Sequence, residues 1–262
     1  MSPGWYLNGN TVRLASHLIF SLFTKFFLSN DFAGGFPFPY FYAIVQMISR
    51  FPAQPGGEGE ERADMGEGAR CPWAKTEHEI LYHDTEWCRP CRDDRALFEL
   101  LELEGFQAGL SWKLILERRA ALRAAFADFE PAALAGWGED EVEAALAAPG
   151  VIKNRSKARC AVTNARAFLA VAEEWGSFAR YLWHWVDGVP VDHRLGRPGG
   201  TAPPVQARGH MPAEDDLSRR VSADLKKRGF RFVGPVIVYS YLQGAGLIND
   251  HLVTCPWHGE GL

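Results

Sequence analysis

Cysteine is scarce in this 262-residue chain: there are five, an odd number and too few for a disulfide framework. That excludes a small secreted scaffold held by bridges and favours a reducing compartment, where thiols stay free or bind metal. Long apolar runs are missing too. Leu18 to Leu28 is broken by Lys25, and Phe36 to Met47 contains Pro37 and Pro39, so neither suits a bilayer span. Neither reads as a signal peptide, because no small-residue cleavage site follows a compact apolar core. No membrane contact is expected for residues 70–262, and the expected location is cytoplasmic. Excess positive charge is also absent. A formal net charge of −4 argues against a protein that coats nucleic acid indiscriminately. Finally, there is no internal repeat and no series of alternating strands.

What is present begins with an apolar content of 47%, enough for a core that needs no cross-links. Charge is unevenly spread. Residues 71–147 hold eight Lys/Arg against sixteen Asp/Glu, and residues 148–231 hold fifteen against eight. A basic half inside a mildly acidic protein suits a face aimed at phosphate, although ordinary solvated helix faces give the same count. The first 53 residues differ from the rest, with nine of the seventeen Phe and Asp31 as their only acid. A linker follows from Pro52 (PAQPGGEGE). Residues 1–69 are therefore read as a poorly structured extension or as the product of a start codon placed too early, with Met65 as the alternative start. The functional domain is expected over residues 70–262, as a monomer.

Beyond Met65 the pattern is helical. Asp93-Asp94 can cap a helix whose buried face is Leu97, Phe98, Leu100, Leu101 and Leu103, with Gly105 and Gly109 interrupting. Further helices are expected over Ser111–Phe126, from Glu139 to Ala148, over Arg155–Glu174 and over Ser218–Arg228, with a last one from Pro235 towards Gly244. The fold class is all-α.

Three constellations carry chemistry. Cys71 and His83 lie near the domain's start, and His251 and Cys255 near its end, the latter pair spaced to share one face of a helical turn. Two thiolates and two imidazoles form the ligand set of a closed, structural Zn2+ site, which would clasp the two ends together. Cys88 and Cys91, in CxxC spacing, are the rival metal or redox pair. The second constellation is the turn Ala148-Pro149-Gly150-Val151-Ile152-Lys153 between two helices. Its glycine and the next helix's N-terminus offer free N–H groups to a DNA phosphate, with Lys153, Arg155 and Lys157 beside it; an ordinary helical hairpin is the alternative. The third is ELEGFQAGLSW (residues 102–112), where Glu104 either faces an aromatic pocket with Trp112 or, like Glu102, is a solvated surface acid.

The strings CPW, LYHDTEW, LFELLELEGFQAGLSW, PGVIKNRSKARCAVTNARAF and LKKRGFRFVGPVIVYSYLQGAGLINDH, with Cys255 after them, span nearly all of residues 71–255. In this the chain resembles the DNA-3-methyladenine glycosylase I family. The resemblance implies a helix–hairpin–helix DNA glycosylase fold, with a structural zinc joining the domain's two ends. It also implies base-excision repair of N3-methyladenine in double-stranded alkylated DNA. On it, Glu104 is the base-reading carboxylate; Trp73, Tyr82 and Trp112 wall the pocket, with Trp87 supporting. Cys71, His83, His251 and Cys255 are the zinc ligands.

These residue types suit that reaction. N3-alkylation makes adenine cationic, and a flipped cationic base gains about 0.5–2 kcal/mol on an aromatic face. A buried carboxylate complements the charge and repels the carbonyl oxygen that guanine presents. No pocket motif contains a lysine for a lyase step, although Lys113 follows Trp112, so a monofunctional hydrolase is expected. Asp84, Asp187 and Asp192 are all available as a catalytic aspartate, and no motif singles one out. The chain departs from the family at Cys88, where glycine is usual, and in the Gly/Pro/Arg-rich stretch Asp192 to Met211.

Overall fold

Polar caps and glycine breaks divide the chain into short helices. In the computed structural model, residues 70–193 and 211–259 are described; the N-terminal extension, Met65, the linker and most of the 192–211 stretch lie outside them. The described residues form α1 (Glu77–Thr85), α2 (Asp94–Gln107), α3 (Trp112–Ala125), α4 (Pro131–Ala135), α5 (Glu139–Ala147), α6 (Arg155–Trp175), α7 (Phe178–His184), α8 (Asp216–Lys227) and α9 (Pro235–Gly244). The cap carboxylates, hydroxyls and amides do the expected work. Asp93 accepts from the Ala96 N–H, Ser111 from that of Leu114, Asn154 from that of Lys157, and Asp215 from that of Ser218. None of the described helices is long and apolar enough to cross a membrane.

Helix α2 is the centre of the molecule. Ten consecutive residues, Leu97 to Phe106, are buried, and α3, α6, α7 and α9 pack around it. A helix buried on all sides is mostly apolar by necessity, so its three buried carboxylates, Glu99, Glu102 and Glu104, each need an explanation. Gly105 does not interrupt α2 as expected; the helix continues to Gln107, and the chain breaks at Gly109, where φ is +78°. That left-handed turn sets the angle between α2 and α3.

Two further corrections bear on the site. Strands β1 (Val191–Asp192) and β2 (Ile248–Asn249) form a two-residue parallel pair, a small exception to an otherwise helical chain. The pair brings His193 beside Asp250. The His251–Cys255 spacing does not lie on a helix, because the chain after β2 runs in turns. The two side chains converge nonetheless.

Candidate ligand pocket and metal centre

The three buried carboxylates of α2 meet three environments. Burial raises Glu99, but hydrogen bonds from Arg123 (2.6 and 2.8 Å) and Arg119 (2.7 Å) outweigh it and leave the group below its ordinary value. Glu102 is raised to about 8 by burial, against one opposing hydrogen bond from Asn164 Nδ2 at 2.8 Å. The same Asn164 pairs with both the N–H and the carbonyl of Arg231, so this group fastens α6 to the segment before α9. Glu104 is raised to about 8 by burial alone, and its Oε2 has no partner. Buried polar atoms are nearly always satisfied, so an orphan carboxylate oxygen marks a place meant for something else.

That oxygen belongs to a side chain lining a cavity of about 130 Å3. Trp73, Tyr82, Trp87 and Trp112 supply its aromatic walls, and Gln107, Met211, Ser240 and Gln243 complete it. Tyr82 and Trp112 meet edge-to-face at 5.2 Å, and Trp73 meets Trp87 likewise at 4.9 Å. Trp73 Nε1 is a second buried atom without a partner. Helix α9 approaches closely because Gly244 has no side chain: a Cβ there would lie 2.6 Å from the Tyr82 hydroxyl and 2.9 Å from Leu100. The expected wall residues and Glu104 are thus brought together. Gln107, Met211, Ser240 and Gln243 were not anticipated. Gln107 is one turn beyond Glu104 on α2, and Ser240 and Gln243 are one turn apart on α9; that spacing was the available signal.

Behind Trp87 lies the second centre. Cys71, His83, His251 and Cys255 are all buried, with their ligand atoms within 4.8 Å of one another, and they could hold a metal ion. Sγ of Cys71 is 3.6 Å from His251 Nδ1, and Sγ of Cys255 is 3.6 Å from both His83 Nε2 and His251 Nδ1. Each imidazole uses its other nitrogen on a fixed acceptor. His83 Nδ1 meets Asp84 at 2.7 Å, and His251 Nε2 meets the Trp87 carbonyl at 3.2 Å. Asp84 is in turn gripped by Arg70 through two 2.9 Å bonds. Such partners fix the tautomer and ring orientation of a ligand histidine. Hydrogen bonding from Cys71 lowers the pKa of Cys255, against the opposing effect of burial, and His251 and His83 lower it further. Trp87 stacks on His83 at 5.7 Å and meets the edge of His251 at 4.6 Å, so one ring is wall to both centres.

The rival thiols lie elsewhere. Cys88 is buried with Sγ accepting the Asp250 N–H, Cys91 is half-buried, and both are free. Cys88 has φ +59°, a left-handed corner of the kind that glycine adopts most readily. Of the candidate aspartates, Asp84 bonds His83 of the cysteine–histidine cluster, and Asp192 bonds His258 at 3.2 Å. Asp187 is exposed on a turn. None of them lines the cavity. Lys113 is exposed, 3.8 Å from Glu117, and is not a lining residue either.

The hairpin between α5 and α6 is present, but its cations are not arranged as expected. Gly150 has φ +79°, and a Cβ would lie 2.9 Å from that of Ala121, so only glycine fits against α3. Lys153 Nζ donates to the carbonyls of Leu146 and Ala148, capping α5. Arg155 is exposed and pairs with Glu143 at 2.8 Å. Lys157 does not belong to that surface at all. It is 6% exposed, and Nζ donates to the carbonyls of Phe106 (2.8 Å) and Ala108 (2.6 Å), closing the end of the helix that carries Glu104. Burial lowers its pKa.

Comparison with known proteins agrees with this architecture. A family model described as methyladenine glycosylase matches residues 73–258. DNA-3-methyladenine glycosylase 1 of Escherichia coli (strain K12) is 37% identical over 187 residues, covering 71% of this chain and 95% of the relative. The DNA-3-methyladenine glycosylase of Haemophilus influenzae is 36% identical over 188 residues, covering 71% and 96%. The solved structure of 3-methyladenine DNA glycosylase I from Staphylococcus aureus superposes with a TM-score of 0.67 at 35% identity, covering 74% of this chain and 99% of that one.

Proposed function

The chain belongs to the methyladenine glycosylase family of DNA repair enzymes, and we propose that residues 70–262 hydrolyse the N-glycosidic bond of N3-methyladenine in alkylated double-stranded DNA. The observation that carries this reading is the partnerless Oε2 of Glu104 in an aromatic cavity. A carboxylate so placed has no electrostatic reason to be charged until a cation arrives, and N3-methyladenine is a cation. Trp73, Tyr82 and Trp112 offer ring faces to the flipped base, and the positive charge already weakens its bond to the sugar. What remains for the protein is to position the base and balance its charge while water adds at the sugar. The cavity's lining contains no lysine among the described residues, which supports a monofunctional hydrolase.

The α5–α6 hairpin reads as the helix–hairpin–helix element, with the Gly150 turn, the N-terminus of α6 and exposed Arg155 facing phosphate. The buried cluster reads as a zinc site. Bonds of about 2.3 Å to sulfur and about 2.05 Å to nitrogen in a tetrahedron separate S from N by about 3.6 Å, which is the spacing found here. Bound zinc would supply cross-linking rather than a reactive water, since all four positions are taken by protein. The direct test incubates the full chain with dimethyl sulfate-treated DNA and follows free N3-methyladenine by chromatography. Release by the parent and its loss in Glu104→Gln are expected; DNA binding without release would overturn the assignment.

A further inference from the structure

Gln243 faces the cavity from α9, yet neither of its side-chain hydrogen bonds uses Oε1. Nε2 donates to Asp250 Oδ2 at 2.7 Å and to Met211 Sδ at 3.3 Å. Oε1 takes no hydrogen bond among the described residues, while the side chain lines the cavity. The direction of that amide is not arbitrary. Asp250 accepts from three sides: His193 Nδ1 at 2.8 Å on Oδ1, and the Tyr239 hydroxyl together with Gln243 Nε2 on Oδ2. A carboxylate serving only as acceptor cannot welcome an amide oxygen, so Gln243 must turn its NH2 towards Asp250 and leave its oxygen to the cavity. Asp250 is 1% exposed, so water does not relieve that constraint.

We propose that Gln243 is a specificity-determining residue for the excised base, held by Asp250 so that it presents only an acceptor. The proposal rests on the methyladenine reading above and deepens it. A nucleotide-bound N3-methyladenine has only two N–H hydrogens, both on its exocyclic nitrogen, and the cavity offers an oxygen from Glu104 and an oxygen from Gln243 to receive them. N3-methylguanine carries a carbonyl oxygen at the corresponding position and meets two acceptors there. Charge complementarity from Glu104 serves both cations alike; the fixed amide adds discrimination between them. Asp250, which does not line the cavity, is a positioning residue, and His193 and Tyr239 hold it in turn.

The test uses dimethyl sulfate-treated DNA containing both lesions and measures release of each base by the full chain. Gln243→Met keeps shape and removes the acceptor. Its kcat/KM for N3-methyladenine should fall about tenfold while that for N3-methylguanine does not fall, so the ratio drops about tenfold. Asp250→Ala frees the amide to turn its NH2 inward, and the ratio should drop there too. Should Asp250→Ala not fold, as judged by its melting curve, Gln243→Met decides alone. A Gln243→Met variant with the parent's ratio overturns the inference, including when both rates fall together, the signature of a structural role. Failure of the parent to release N3-methyladenine would instead overturn the functional reading on which it rests.

Discussion

The cavity and the cysteine–histidine cluster share the ring of Trp87, yet they treat their polar atoms in opposite ways. In the cluster each sulfur lies 3.6 Å from an imidazole nitrogen, and both remaining imidazole nitrogens have acceptors. In the cavity, Glu104 Oε2 and Trp73 Nε1 are buried with no partner. A set of groups that satisfies itself, or is satisfied by one resident ion, stabilises the fold. A set left unsatisfied is costly until a ligand arrives, and that cost is what makes the ligand welcome. The two centres should therefore respond to mutation with opposite signs.

The largest effect tests the closed side of this contrast. His251→Ala, or chelation of the parent, should destabilise the domain by on the order of 5 kcal/mol or more. Thermal unfolding with and without chelator measures it. A variant that melts like the parent but excises nothing would mean the metal acts in chemistry and the contrast is false. Next comes the open side. Glu104→Gln should lower excision about 100-fold. It should not lower stability, and the sign of its pH dependence follows from burial. The folded value of about 8 lies above the ordinary 4.5, so the group's contribution is complete below 4.5 and is lost as pH rises through 8. The Gln variant should thus outlast the parent in melting experiments above pH 8. For activity, kcat/KM of the parent should climb with pH towards about 8 as the free enzyme's carboxylate ionises, and the variant's profile should be flat there.

A smaller effect probes what joins the hairpin to the pocket. Lys157→Met leaves the carbonyls of Phe106 and Ala108 without their donor and should cost about 1–3 kcal/mol, read from denaturant midpoints. If DNA affinity fell at unchanged stability, Lys157 would be reaching phosphate after all. The smallest effect is expected from Cys88→Ser with Cys91→Ser. Excision should match the parent's, and a large loss would revive a redox role for the pair.

Much of this was legible before any coordinates. The span of α9 is written in the sequence by a proline at its start and the glycines near its end, and α2 by the Asp93 cap and its apolar stripe. Short α1, α4 and α7 were not seen, since α1 carries no apolar stripe and the other two are too short to show one. The convergence of Cys71, His83, His251 and Cys255 and the place of Glu104 on the cavity were legible because a few chemically distinctive residues recur in distinctive strings. Gln107, Ser240 and Gln243 are chemically ordinary, and only the fold shows what they face. Lys157 was misplaced by counting charge, yet it falls in step with Ala161, Asn164, Ala165 and Phe168 on the buried stripe of α6. The basic half misled in the same way. Arg155, Arg159 and Arg228 answer Glu143, Glu139 and Glu174, so much of its charge is spent within the chain.

The cluster also imposes an order on the molecule's manufacture. Cys71 and His251 are 180 positions apart, and His83 and Cys255 are 172 apart. A ribosome releases the first pair of ligands long before the second, so the site cannot close until translation has delivered almost the whole domain. A chain that stops short of Cys255 lacks one of the four side chains that converge behind Trp87. On the zinc reading proposed above, Cys255 is the last ligand delivered, so only a chain translated that far could close the site and gain the metal's stabilisation.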